Sequence, residues 1–253
     1  MGYPRVMSTP ISIPITLATP AGPLTVTVVS TEDKVPIPTV MGSASALSNA
    51  LNTAAIGLAE RHGHPIQCGQ GCGACCRQLV PVSPIEAFAL SAALQALPDE
   101  KRSRIEARID ATLDKLGETG LADKLQHIPA GPKGRAIVLD YFAAQLPCPF
   151  LEDESCQVYD KRPFACRDLL VSSNPSHCED PGAGQVRRIP VFLDMGRAVR
   201  SLSAAAFGEV SLQMPLPVAI DWAREHDDLL GTVARGVDLV KGLMSALAGQ
   251  RKS

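Results

Sequence analysis

All eight cysteines of this 253-residue chain lie between Cys68 and Cys178, and four of them, Cys68, Cys72, Cys75 and Cys76, fall within nine consecutive positions. Gly69, Gly71 and Gly73 are interleaved with them. Such a segment makes a poor helix and a poor core strand, but its backbone can turn sharply and approach a bound ion closely. Cys148, Cys156, Cys166 and Cys178 follow after the 71 residues from 77 to 147. A tetrahedral Zn²⁺ takes about four sulfurs at about 2.3 Å, and a cubane iron-sulfur cluster takes one per iron. Four and four thiols therefore suit two sites, or one site with thiols to spare. Successive side chains leave the backbone in different directions, so Cys75 and Cys76 are not expected to serve one tetrahedral centre together. One of them is expected to ligate a second centre, stay free or cross to the later group; the spacing leaves the pairing open.

The rest of the composition narrows the setting. With 24 basic and 26 acidic residues the formal charge is -2, which offers no reason to expect nucleic-acid or anionic-membrane binding. No apolar run approaches the roughly 20 residues of a membrane span, and the N-terminus lacks the basic-then-apolar pattern of a secretory signal. Met1-Gly2 opens like a myristoylation site, but Val6 stands where Ser or Thr is needed. A cytoplasmic protein is expected, and in a reducing cytosol clustered cysteines read as metal-binding or redox residues sooner than as disulfides.

The periodicity predicts a mostly α fold, with an irregular cysteine-rich metal-binding centre packed among helices and a small β-hairpin or extended N-terminal arm. Residues 1–40 form the arm, where "ISIPITLATPAGPLTVTVV" alternates on both sides of a Pro-Gly turn. Residues 41–253 form the helical domain, with the metal-binding signature over about 65–180. Leu47, Leu51, Ala54 and Leu58 give a helical stripe that Gly63 and Pro65 end. Ser83-Pro84-Ile85-Glu86 is a capping box with proline at the first helical position, so a helix starts at Pro84. Further helices are expected through Ile105 to Leu116, Leu121 to Gln126, Ile137 to Phe142, Leu193 to Phe207 and Pro217 to Leu230, with a last one from Val233 to Leu247.

Several side chains could support the thiolates, whose negative charge calls for nearby cations. Arg77 follows Cys76, Arg167 follows Cys166, and Arg162 lies between them in "YDKRPFACR"; Tyr159 can donate a hydrogen bond to sulfur or simply pack. His62, His64 and His177 are adjacent imidazoles that read more simply as helix-end or loop residues, and Glu152, Asp153 and Glu154 as a solvated loop. Trp222 reads as core. No phosphate loop, Gly-x-Ser-x-Gly turn or paired helical histidine is present.

"GCGACCRQLVPVSPIEA", "CPFL" and "CQVYDKRPFACR" together resemble the YkgJ-type cysteine-cluster family, described as a zinc- or iron-chelating domain with eight cysteines. The resemblance implies that Cys68, Cys72, Cys75, Cys76, Cys148, Cys156, Cys166 and Cys178 are its metal ligands, with Tyr159, Arg162, Pro163 and Arg167 on its accompanying motif. One departure is that three residues, not two, separate Cys68 from Cys72. A flagellin-lysine methyltransferase related to the family offers an activity by analogy, but no Gly-rich turn suited to an adenosyl cofactor is apparent here. The expected cofactor is an iron-sulfur cluster, of the 4Fe-4S type, with Zn as the alternative; vicinal cysteines in Gly-lined loops suit a polynuclear centre at least as well as a single ion. A redox or cluster-assisted role on an unknown small-molecule or protein partner is the first reading, and a structural zinc module the second.

Overall fold

The computed structural model describes residues 9–126, 128–129, 131–208 and 213–250. The chain opens with an antiparallel hairpin of β1 (Ile11–Thr19) and β2 (Gly22–Ser30), in which Ile15 faces Val26 and Leu17 faces Leu24. Alternation sends Ile15, Leu17 and Val28 into the main core, while the hydroxyls of Thr16 and Thr25 meet at 3.0 Å on the solvent face. A short strand β3 (Lys34–Pro36) and a 3₁₀ turn deliver the chain to α1 (Met41–Arg61). The first cysteine segment then runs as turns into β4 (Pro81–Val82), and from there into α2 (Pro84–Gln95).

Helices α3 (Asp99–Glu118), α4 (Leu121–Gln126) and α5 (Pro132–Ala143) fill the interval before the second cysteine segment. That segment carries a minimal hairpin, β5 (Leu151–Glu152) with β6 (Ser155–Cys156), and a one-turn helix α6 (Phe164–Arg167). The chain closes with α7 (Met195–Phe207), β7 (Met214–Pro215), α8 (Leu216–Glu225), β8 (Val233–Arg235) and α9 (Gly236–Gly249). Among the described residues the architecture is mostly helical, with four two-stranded antiparallel sheets, and no helix is long and apolar enough to cross a membrane.

Helix α2 is the centre of the molecule, with Ile85, Ala87, Phe88, Leu90 and Leu94 all buried as it packs on α8, α7 and α1. The Phe88 ring lies 5.5 Å from that of Trp222, which therefore belongs to the core's edge as expected. The capping box at Ser83 forms as written: its hydroxyl accepts from the Glu86 amide, and the Glu86 carboxylate accepts from the Ser83 amide. The last helix differs from expectation. Val233–Arg235 are a strand, and α9 begins at Gly236, because these residues pair antiparallel with Lys34–Pro36 from the other end of the chain. A β-branched valine suits either state locally, so the remote partner decides. Similarly, the helix expected to reach Leu230 ends at Glu225 and is followed by a 3₁₀ turn over Asp227–Gly231.

Candidate metal centre

Both cysteine segments are held by neighbours rather than by their own secondary structure. The first is stitched to the stretch after α6: the Gln67 amide donates to the Val171 carbonyl at 2.8 Å, and the Val171 amide donates to Cys68 Sγ at 3.3 Å. Gln78 Nε2 donates to the Cys178 carbonyl at 3.1 Å, and the Cys148 amide donates to the Cys76 carbonyl at 2.7 Å. Residues about 100 positions apart in sequence are thus brought side by side.

The second segment is fastened to three helices. From α3, Arg108 Nε donates to the Pro149 carbonyl at 2.8 Å, and Arg104 pairs with Glu152 at 3.4 Å. From α2, Glu86 Oε1 accepts the Phe164 amide at 2.9 Å, so the capping carboxylate also holds the start of the helix that carries Cys166. From α1, Asn49 and Asn52 reach the Arg167 region, Asn52 Nδ2 donating to the Arg167 carbonyl at 3.1 Å.

The segments also interlock at Gly73. A Cβ there would run into the Glu154 carboxylate and stand 2.9 Å from Leu151 Cδ1 on the β5–β6 hairpin. That hairpin turns on Asp153 and Glu154, both with positive φ (49° and 54°), the conformation of a two-residue primed turn without the usual glycine. The ion pair between Glu154 and Arg77 at 3.2 Å ties the turn back to the first segment. Gly73→Val is expected to lower unfolding free energy by about 1–3 kcal/mol, because a branched side chain overpacks this crossing; urea denaturation checks it, and an unchanged midpoint would mean the two segments are not in register here.

These contacts gather the sulfurs. Cys68, Cys72, Cys75, Cys166 and Cys178 line one cavity of about 370 Å³, together with Tyr159 and Arg162. Cys68, Cys72 and Cys75 pack with Cys178, Ala74 and Val171 in a small apolar cluster of their own. Cys148 and Cys156 pack instead against the edge of the main core. All eight thiols are free of disulfides. The sulfurs surround the cavity without converging on a point: among the described residues, no three or more His, Cys, Asp or Glu side chains stand close enough to hold a metal ion.

The electrostatics follows from burial and from the vicinal pair. The Cys76 thiol donates to Cys75, which lowers Cys75 to about 7 while Cys76 is driven up. Burial raises Cys148 to about 12 and Cys178 to about 11, and it pushes Cys166 well above the usual thiol range. Buried thiols of this kind are neutral unless a cation compensates them, and a coordinating metal does so by deprotonating them outright. Arg162 is the cation among them. Its guanidinium carbon lies 3.6 Å from the centroid of the Tyr159 ring, its Nε donates to the Tyr159 carbonyl at 3.0 Å, and its charge acts on Cys68, Cys75, Cys156 and Cys166. The donor set, soft thiols around a cavity bordered by Arg162 and Arg167, suits a thiophilic metal or an iron-sulfur cluster.

The other arginines are placed differently. Arg167 is buried and directs its donors to Asn49 Oδ1 at 2.8 Å, to the Arg162 carbonyl at 2.9 Å and to the Asp160 carbonyl. Arg77 donates to the Gly73 carbonyl and to Glu154. Both brace the loops that carry cysteines. His62 and His64 are exposed beyond the end of α1, and His177 turns its Nδ1 toward the Gln185 carbonyl at 3.2 Å. Reading the sequence missed Asn49, Asn52 and Arg108. The two asparagines, three apart on α1 and off its apolar stripe, are a visible signal; Arg108 has none. Glu86 was recognised as a cap, but its second acceptor role depends on a partner 78 residues away.

Residues 67–179 match the model of one protein family, CxxCxxCC, described as a "putative zinc- or iron-chelating domain". No curated protein and no solved structure matches the chain.

Proposed function

We propose, for a chain whose residues 67–179 match this zinc- or iron-chelating family, that its eight cysteines hold iron-sulfur centres used in redox or cluster-assisted chemistry on a small-molecule or protein partner. The observation that carries the reading is the single cavity of about 370 Å³ bordered by five cysteines from both segments. Packing supports a division into two neighbouring sets. Cys68, Cys72, Cys75 and Cys178 share one small apolar cluster, which argues for them as one set. Cys148 and Cys156 lie on the edge of the main core and would form the other with Cys76 and Cys166; Cys75 acts on Cys148, Cys156, Cys166 and Cys178 alike, so the two sets adjoin there. In this division the vicinal pair parts, one sulfur to each set, as the opposed directions of successive side chains favour.

A bound iron-sulfur centre would supply one-electron redox capacity or an open iron site. The protein's own contribution is to shield the thiols partly from water, to fix Arg162 over Tyr159 as counter-charge, and to brace the loops through Arg77 and Arg167. Eight unpaired thiols also favour residence in a reducing compartment such as the cytoplasm.

The test is purification without oxygen followed by metal and sulfide analysis. Brown protein with iron and acid-labile sulfide is expected; Cys166→Ser should lower the iron content. Colourless protein with stoichiometric zinc would overturn the iron reading in favour of a structural zinc module.

A further inference from the structure

A second cavity, of about 410 Å³, lies against the same cysteines: Cys75 and Cys166 border both it and the cavity described above. Its wall carries two guanidinium groups, Arg188 and Arg200. Among the described residues Arg188 makes no ion pair, and Arg200 meets its nearest carboxylate, Asp194, only at 4.0 Å. Two carboxylates share this wall: Asp194 caps α7 by accepting from the Arg197 amide at 2.7 Å, and Asp168 accepts from Asn52 Nδ2 at 3.3 Å. Neither holds Arg188 or Arg200 in a close ion pair, so both guanidinium groups keep donors for an anion.

Leu79 and Pro81, two apart on the extended run into β4, border this cavity and also a third, of about 390 Å³. The third is walled by Leu125, Val138, Met214 and Pro215 with Gln213 as its polar member, and Ile128 and Val138 are open to solvent. Along one face of the molecule the lining thus passes from thiols and arginines, across Leu79 and Pro81, to an aliphatic surface.

We infer that this trough binds an amphipathic organic anion, its carboxylate taken by Arg188 and Arg200 and its hydrocarbon part laid along Leu79 and Pro81. Guanidinium groups pair with carboxylates through parallel charge-assisted hydrogen bonds, and aliphatic burial adds affinity for each methylene removed from water. The bound carboxylate would lie beside Cys75 and Cys166; its meaning as a substrate position rests on the metal-centre reading above, whereas the binding itself does not.

The test uses the full chain, purified without oxygen, titrated calorimetrically with octanoate, with octanol and inorganic phosphate as comparisons, and metal content measured on the same samples. Octanoate is expected to bind more tightly than either comparison. Arg188→Glu, at an exposed position that carries no ion pair to lose, should weaken it by at least about tenfold, and Arg200→Gln should do likewise. Should Arg200→Gln fail to fold, Arg188→Glu decides. No octanoate binding at about 1 mM, or binding indifferent to Arg188→Glu, overturns the inference. Phosphate binding as tightly as octanoate overturns the amphipathic assignment. Arg188-dependent octanoate binding in a chain without metal upholds the inference and sinks the metal-centre reading; normal metal content without octanoate binding does the reverse.

Discussion

Glu86→Ala is expected to lower the free energy of unfolding by about 3–4 kcal/mol, because it leaves buried donors without acceptors at about 1–3 kcal/mol each. The carboxylate accepts from the Ser83 amide at 2.9 Å, from the Ser83 hydroxyl at 2.6 Å and from the Phe164 amide at 2.9 Å, all in buried surroundings. Alanine removes every one of these acceptors at once. It also releases the start of α6 from α2, so metal content should fall although no ligand is touched. Burial raises the Glu86 carboxyl above its usual range, against the lowering effect of its hydrogen bonds. A raised folded-state value means that its contribution is complete at pH below the ordinary carboxylate range and is lost as pH rises through the raised value. Wild type and Glu86→Ala should thus differ most in acid and less in alkali, while Glu86→Gln, never charged, should lack this pH dependence and lose less. Urea denaturation at several pH values measures all three. A loss below about 1 kcal/mol, the worth of an ordinary exposed hydrogen bond, would show that Glu86 is only a helix cap.

Removing the metal with an anaerobic chelator is the second large effect. Ligand binding confined to the folded state stabilises by mass action, and metal held by several thiolates contributes substantially to the segments that bear them, so a fall of about 10 °C or more in the melting midpoint is expected. The loss should be local. The main core is built largely by α1, α2, α7, α8, α9 and the β1–β2 hairpin, whose buried residues include Leu47, Phe88, Val199, Ile220 and Leu243; the second cysteine segment adds Phe150, Val158 and Phe164 to it, with Cys148 and Cys156 at its edge. Most of the helical circular dichroism should therefore survive, while limited proteolysis opens the loops before β4 and on either side of α6. An unchanged midpoint would mean that the metal is not structural. Collapse of all helical signal would mean that the core depends on it.

The pattern of what could be read in advance follows the range of the interactions. The helix at Pro84 was legible because Ser83 and Glu86 satisfy each other within one turn, and the hairpin because its alternation flanks a turn at Pro20-Ala21, followed by Gly22. The amphipathic stripe of α3 at Ile105 and Ile109 was legible for the same reason: its period is a local property. The tight turn at Asp153-Glu154 was not, since neither residue is the glycine or asparagine that usually marks positive φ; the crossing over Gly73 and the pair with Arg77 hold it.

By itself the sequence determined that eight soft donors sit in two glycine-broken or loop-rich segments, each close to a helix, and that the remainder is mostly helical. Only the tertiary structure decided that Val233–Arg235 would be a strand, that Glu86 would reach Phe164, and that Cys178 would return to the company of Cys68, Cys72 and Cys75. Hydrogen bonds within a turn are encoded by neighbouring residue types. A bond across 78 or 200 positions depends on which apolar faces pack together first, and no local pattern carries that information.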